Sequence, residues 1–381
     1  MHYRRTPIEV ESPEQLGYSA ITNNLAESSL SDMRLADYGI GADVGQLLLP
    51  YGDHLGSERL RELIADGSGL RGNDVLVTPG GAAALFIVAS ALLEPGTHAL
   101  ICAPNYVTNL ETPRAIGADV ERLELRFEEG WRLDPESVAS RLRPETRLVS
   151  VTYPHNPTGS TIGPDELRTL VEIVDGHANA RLLVDETYRE LSYGVPLPMA
   201  ATLSPRVVGV SSMSKTYGLP GLRVGWLTSR DEQQMETFLA AKEQIFISGA
   251  VLDEELAARV LERRTSILPL VHDKVREHLA TVRDWLVAGD TFEWVEPRAG
   301  VVCFPRIRSD VGVDVDRFYR LLLDEYGTYV GAGHWFDQDR RYFRLGFAWP
   351  THAELMRGLE SLELAVANSR PAPTRSSRSV A

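Results

Sequence analysis

The sequence predicts an α/β protein with two unequal parts: a large domain on a mostly parallel sheet flanked by helices, then a smaller α+β C-terminal domain. Three observations carry that expectation. From Val75 to Leu227 short β-branched runs alternate with helix-periodic segments, the pattern that assembles βαβ units into a parallel sheet. A long helical stretch then separates this region from a second, shorter set of strands near the end of the chain. The 381 residues suffice to give each part its own core.

In chain order, residues 1 to about 50 show no strong period and are broken by Pro7, Pro13, Gly17 and Gly39, so they read as an N-terminal arm. At Tyr51 the text becomes YGDHLGSERLRELIA, a turn followed by an amphipathic helix with Leu60, Leu63 and Ile64 at helical spacing. A strand over 74–78 ends at Pro79, Gly80 and Gly81, and a helix starts at about Ala82. The strand over 99–102 ends at Ala103, Pro104, Asn105 and Tyr106. A strand over 148–152 runs into YPHNPTG, where prolines on either side of His155 and Asn156 pin an extended turn that Gly159 ends. After a helix from 164 to about 175, a strand over 181–184 delivers Asp185, Glu186, Thr187 and Tyr188. Val207, Val208 and Val210 make the next buried strand. Residues 231–246 read as helix, and a longer helix over 252 to about 286 contains Pro269, which is expected to kink or break it. Strands over 292–295 and 301–307, a helix over about 315–326 and a strand over 342–347 complete the C-terminal unit. The resulting division is an arm over 1–50, a large domain over 51–265, a small domain over 266–368 and a tail over 369–381. That tail, SRPAPTRSSRSVA, lacks core-forming residues and is expected to be disordered.

The chemistry concentrates in SSMSKTYGLPGLRVG, residues 211–225. A lysine in a turn between buried strands is costly to keep charged. Burial therefore lowers its pKa and leaves Lys215 a nucleophilic amine suited to a Schiff base. Ser212, Ser214 and Arg223 offer hydroxyls and a forked cation to a phosphate beside it. That combination asks for pyridoxal 5'-phosphate. Backbone amides at the turn Gly80, Gly81, Ala82, where a helix opens, form a second phosphate cradle. Asp185 closes a buried apolar strand and needs a cationic partner, which a protonated pyridine nitrogen supplies. Arg344, mid-strand in YFRLGF, needs an anionic one.

The pattern small, any, small, Lys215, then Gly218, Gly221, Arg223 and Gly225 resembles the attachment site of the class I/II aminotransferase family, fold type I of the pyridoxal phosphate enzymes. The resemblance spans about residues 51–347. It implies a fold type I architecture, with Lys215 holding the cofactor and Asp185 facing its ring nitrogen. Asn156 and Tyr188 donate to the phenolic oxygen, Tyr106 stacks on the ring, and Arg344, with Asn156 beside it, binds the substrate, the arginine taking its α-carboxylate. Tyr51 reaches the phosphate held by the other subunit, which implies a homodimer. Two features depart from the family pattern: Ala82 stands where a hydroxyl or charged residue is common, and His334 and Trp335 lie in a loop that would look into the cleft. In the arm, Glu27 reads as a solvated glutamate, with contact to a cationic substrate group as the other reading, and Asp32 adds a second acid.

The activity the resemblance implies is amino transfer between an L-amino acid and a 2-oxo acid. The strings YGDHLGSERLRE, YPHNPTG, SKTYGLPGLRVGW and Pro297 to Pro305 further resemble a branch containing an enzyme that cyclises a hydroxylated arginine. Elimination, replacement or cyclisation at the β or γ carbon, in specialised metabolism, is therefore the second reading. Loss of Lys215 or Asp185 would have signalled a non-catalytic descendant, and both are present. A net charge of −14 without a basic run argues against nucleic acid or an anionic membrane as partner. Cys102 and Cys303 stand alone and far apart, which supports neither a disulfide framework nor a metal site. The longest apolar run, Ala82 to Leu93, is too short to span a bilayer, so a cytoplasmic enzyme is expected.

Overall fold

A seven-stranded sheet carries the large domain in the computed structural model, which describes residues 1–370. Its order is Val75–Thr78, Gly225–Thr228, Val207–Ser212, Arg181–Asp185, Thr146–Thr152, His98–Ala103, Asp119–Glu124. Neighbours pair in parallel except at Gly225–Thr228, which runs against both strands it joins. Successive side chains point to opposite faces, and both faces are covered, so the inner strands are apolar through their middles, whereas the edge strand Asp119–Glu124 carries charges. Ala99, Ile101, Leu148, Leu183 and Val208 pack with Leu85, Leu110 and Phe238 from the helices Gly81–Leu92, Val107–Ile116 and Glu232–Ile245. Leu100, Cys102, Val149, Val151, Leu182 and Val184 meet Leu167, Leu170 and Val174 of the helix Pro164–Asp175 on the other side. The parallel strands thus empty along one edge, where open α/β sheets bind ligands.

A second sheet joins chain segments far apart in sequence: Asn23–Leu25, Thr328–Ala332, Phe343–Gly346 and Val302–Cys303. Asn23–Leu25 of the arm runs parallel to Thr328–Ala332, which brings Ala26 and Glu27 beside Arg344. Gly346 permits this approach, because a Cβ there would lie against the Glu27 carbonyl. The helices Arg264–Ala288, Val315–Asp324 and His352–Ser369 bury Leu279, Phe318, Leu355 and Leu359 in the same core as Leu25 and Phe343.

Several expected elements differ. The long C-terminal helix is two, Val251–Leu261 and Arg264–Ala288, interrupted at Glu262 and Arg263. Pro269 lies inside the second rather than at the break. It removes one backbone hydrogen bond near the helix start, and burial of Ile267, Val271 and Val275 offsets that loss. The strand expected over 301–307 is split between two sheets as Val302–Cys303 and Arg306–Ile307, because Pro305 lacks the N–H a continuous ladder needs. The tail boundary moves too: Ser369 ends a helix, is buried, and accepts a hydrogen bond from the Asp314 amide. The rest of the expected tail, 371–381, lies outside the described residues. The strand Thr328–Ala332 and the helix His352–Ser369 are elements the sequence reading did not anticipate.

Candidate active site

A cavity of about 350 Å³ opens between the sheet edge, the arm and the C-terminal sheet, a size ordinary for a small-molecule site. At one end Gly81, Ala82, Ser212, Ser214 and Arg223 line it. Gly80 has φ +83°, and a Cβ there would press on the Arg223 guanidinium, with Cζ 3.0 Å away. Arg223 itself sits at φ +51° and donates from Nη1 to the Pro220 carbonyl at 2.9 Å. A non-glycine residue held left-handed costs about 1–3 kcal/mol and persists where the surroundings fix it. Here they aim a cation at the turn where a helix opens.

Lys215 follows the strand Val207–Ser212 and lines the middle of the cavity. Burial pushes its ammonium pKa down, and the charge of Glu27 only partly opposes this. The chain has just three lysines, and the other two are engaged elsewhere: Lys242 Nζ donates to the His54 carbonyl and Lys274 Nζ to Ser31 Oγ at 3.3 Å. Asp185 closes its strand as a buried carboxylate, with Oδ1 accepting from Thr187 N at 3.1 Å and Thr187 Oγ1 at 2.6 Å. Desolvation nevertheless pushes its pKa up, so it is a buried acid still short of positive charge.

Arg344 donates from Nη1 to Asn156 Oδ1 at 3.1 Å and from Nη2 to the Ala26 carbonyl at 2.7 Å. Its Nε is buried without a partner. Because the Asn156 oxygen is occupied by Arg344, the amide hydrogens of Asn156 are left for the cavity it lines. Tyr188 also lines the cavity, with its hydroxyl donating to the Ser28 carbonyl at 2.9 Å. Tyr106 caps the helix Val107–Ile116 and faces the cavity half-buried. It rests on a network the sequence did not reveal: Asn105 Oδ1 accepts from Tyr106 N at 2.7 Å and Thr152 Oγ1 at 2.9 Å, and Asn105 Nδ2 donates to the Cys102 carbonyl at 2.9 Å. His155 is buried against Thr158 Oγ1 at 2.7 Å, and burial pushes its pKa down to about 4.

Two of the expected site residues are not in the cavity wall: Gly80, which stands just behind it against Arg223, and Tyr51, which is 85% exposed. The departure at 334–335 resolves into two roles. Trp335 lines the cavity, whereas His334 turns to the arm, where Glu11 accepts from His334 Nε2 at 2.8 Å and Trp335 Nε1 at 2.7 Å. His334 therefore does not look into the cleft. The expectation of a solvated Glu27 is also corrected: it is half-buried, lines the cavity, and accepts from the Tyr18 hydroxyl at 3.1 Å. Asp32 is exposed.

These residues fit pyridoxal 5'-phosphate on their own terms. The donor-rich end suits a phosphate, the under-neutralised Asp185 suits a protonated ring nitrogen, and the orphaned Arg344 Nε suits a carboxylate. A fold and site of this kind define a pyridoxal phosphate enzyme of fold type I. The model of the aminotransferase class I and II family matches residues 24–362, and the chain belongs to that family. Capreomycidine synthase of Streptomyces vinaceus is 32% identical over 84% of this chain and 82% of its own length. Arginine–pyruvate transaminase AruH of Pseudomonas aeruginosa is 28% identical over 78% of this chain and 77% of its own. A pyridoxal phosphate-dependent aminotransferase from Streptococcus suis superposes with a TM-score of 0.88 at 26% identity, covering 97% of this chain and all of that one. Pyridoxal 5'-phosphate is the cofactor of this family and of this chain. No helix among the described residues is long and apolar enough to cross a membrane.

Proposed function

We propose that this chain is an aminotransferase that moves the amino group of an L-amino acid to a 2-oxo acid, with Lys215 as the amine that holds the cofactor. The observation that carries it is the meeting of Lys215, Asp185 and Arg344 in one cavity. When bound, the cofactor supplies an electrophilic aldehyde and a ring that withdraws electrons from the substrate's α-carbon. Arg223, the serines and the loop at Gly80 hold its phosphate, Tyr106 stacks on the ring, and Asp185 keeps a proton on the ring nitrogen. Arg344 fixes the α-carboxylate with two parallel donors, which orients the α C–H toward Lys215. The Lys215 amine would serve as the base at that carbon, and its lowered pKa leaves more of it unprotonated near neutral pH. Tyr188 and the Asn156 amide donate to the phenolic oxygen, for which Tyr188 turns from Ser28.

The working assembly is proposed as a homodimer in the cytoplasm, with Tyr51 acting across the interface. In support, Leu48, Leu49 and Tyr51 are exposed and the neighbouring turn packs on the segment 243–251, where Phe246 and Ile247 are exposed as well. A fully active monomer would contradict it. The likeness to capreomycidine synthase favours one second reading, elimination or cyclisation at the β or γ carbon. Product analysis decides between them: holoenzyme is mixed with L-amino acids and no acceptor. Amino transfer yields one 2-oxo acid per site, whereas a product that keeps its amino group would replace this reading with the second.

A further inference from the structure

Three carboxylates of the arm, Glu9, Glu14 and Glu27, line the cavity, and two of them are left for a ligand. On the reading above, Arg223 answers the phosphate, Asp185 the ring nitrogen, and Arg344 the substrate carboxylate. The substrate's amino group is consumed in its bond to the cofactor. Glu9, also in the lining, is satisfied by the Thr6 amide at 2.7 Å and hydroxyl at 3.0 Å. Glu14 and Glu27 are not answered: both line the cavity, and neither forms an ion pair among the described residues. Glu27 keeps one oxygen beyond its bond from Tyr18. Burial and the like charge of Glu14 push the Glu27 pKa up, against the pull of Lys215 and Arg344. Glu27 follows Ala26, whose carbonyl accepts from Arg344, and it lines the same cavity as Lys215. Arg344, which keeps a buried Nε without a partner, lines the same cavity as both acids.

We propose that Glu27 and Glu14 form a side-chain subsite and that the substrate is an amino acid carrying a cationic group, a guanidinium or an ammonium, at the end of its side chain. This rests on the reading of the cavity as an amino acid site, and it holds for amino transfer and for cyclisation alike. The arm supplies both acids, so it selects the substrate as well as covering it. A neutral side chain would leave the half-buried Glu27 beside the more exposed Glu14 with no cation between them, and an acidic one would add a third carboxylate.

The test uses holoenzyme and analogues that lack the α-amine and so cannot react: 5-guanidinopentanoate against its neutral isostere 5-ureidopentanoate, and 6-aminohexanoate against hexanoate. Calorimetry is expected to show the cationic member of at least one pair binding on the order of 10-fold or more tightly, as for hydrogen bonds to charged groups. Glu27→Gln is expected to collapse that ratio toward one, and Glu14→Gln provides a second variant should the first fold poorly. The guanidino pair and the amino pair tell the two cations apart. Equal affinities within both pairs, or a cationic preference that survives both substitutions, would overturn the proposal. Because no turnover is read, failure to form a 2-oxo acid from an amino acid would sink amino transfer and leave this result standing.

Discussion

Gly225→Ala should damage the cofactor cradle without touching a cofactor ligand's side chain. A Cβ at Gly225 would stand 2.9 Å from Gly80 Cα, and closer still to the Gly80 carbonyl carbon and the Gly81 nitrogen. Ordinary carbon–carbon contact lies near ~3.5 Å, so the 80–81 backbone must retreat by roughly 0.6 Å or more. All the opposing atoms are backbone, so no side chain can swing away. Overpacking of this kind costs about 1–3 kcal/mol. The displaced turn is also the one proposed to hold the phosphate, and losing one charge-assisted bond there weakens binding by on the order of 10–100-fold. Gly221→Ala is the control, because its Cβ meets nothing within 4 Å although it belongs to the same glycine pattern. Urea unfolding of the apoprotein and titration with pyridoxal phosphate followed by visible absorbance read both effects. If Gly225→Ala bound the cofactor like wild type, or Gly221→Ala were equally harmful, the reasoning about the cradle would be wrong.

Two further outcomes follow from buried charge. Arg344→Lys keeps the cation but loses the planar fork that reaches Asn156 and Ala26, so KM for the amino acid is expected to rise by about 10–100-fold, and an unchanged KM would remove Arg344 from carboxylate binding. Glu186 is buried with Oε1 accepting from the Ala200 amide, and desolvation lifts its pKa from the ordinary 4.5 to about 7. Between those pH values the unfolded carboxyl has lost its proton while the folded one keeps it, so unfolding releases a proton and stability falls as pH rises. Full expression of that shift is about 3 kcal/mol. Glu186→Gln should therefore unfold at higher urea than wild type at pH 8, with the gap closing toward pH 5; a gap independent of pH would refute the buried-carboxyl account.

The sequence disclosed what local chemistry encodes and missed what only distant pairing creates. Lys215, Asp185, Asn156 and Arg344 were legible because each is a costly residue in an apolar or rigid setting, and the fold brings all four to one cavity. The strands Arg181–Asp185 and Val207–Ser212 were legible because burial on both faces leaves apolar runs, Leu182 to Val184 and Val207 to Val210, at their centres. Glu27 was not, because its burial depends on the strand Asn23–Leu25 pairing with residues some three hundred positions away. The strand Thr328–Ala332, TYVGA, escaped because it is short and contains a glycine. The helix His352–Ser369 did carry a signal, since Thr351 and Glu354 form a capping box ahead of Leu355, Leu359 and Leu362. Pro269 misled because an interior proline breaks a helix only when packing does not hold the turn together, and here it does.

With three lysines in the chain, the central claim can be tested at a single residue. Holoenzyme reduced with borohydride and digested should carry the reduced pyridoxal phosphate on the peptide containing Lys215, and Lys215→Ala should carry none. A label on the peptide bearing Lys242 or Lys274, or no covalent label while the cofactor remains bound, would contradict the account.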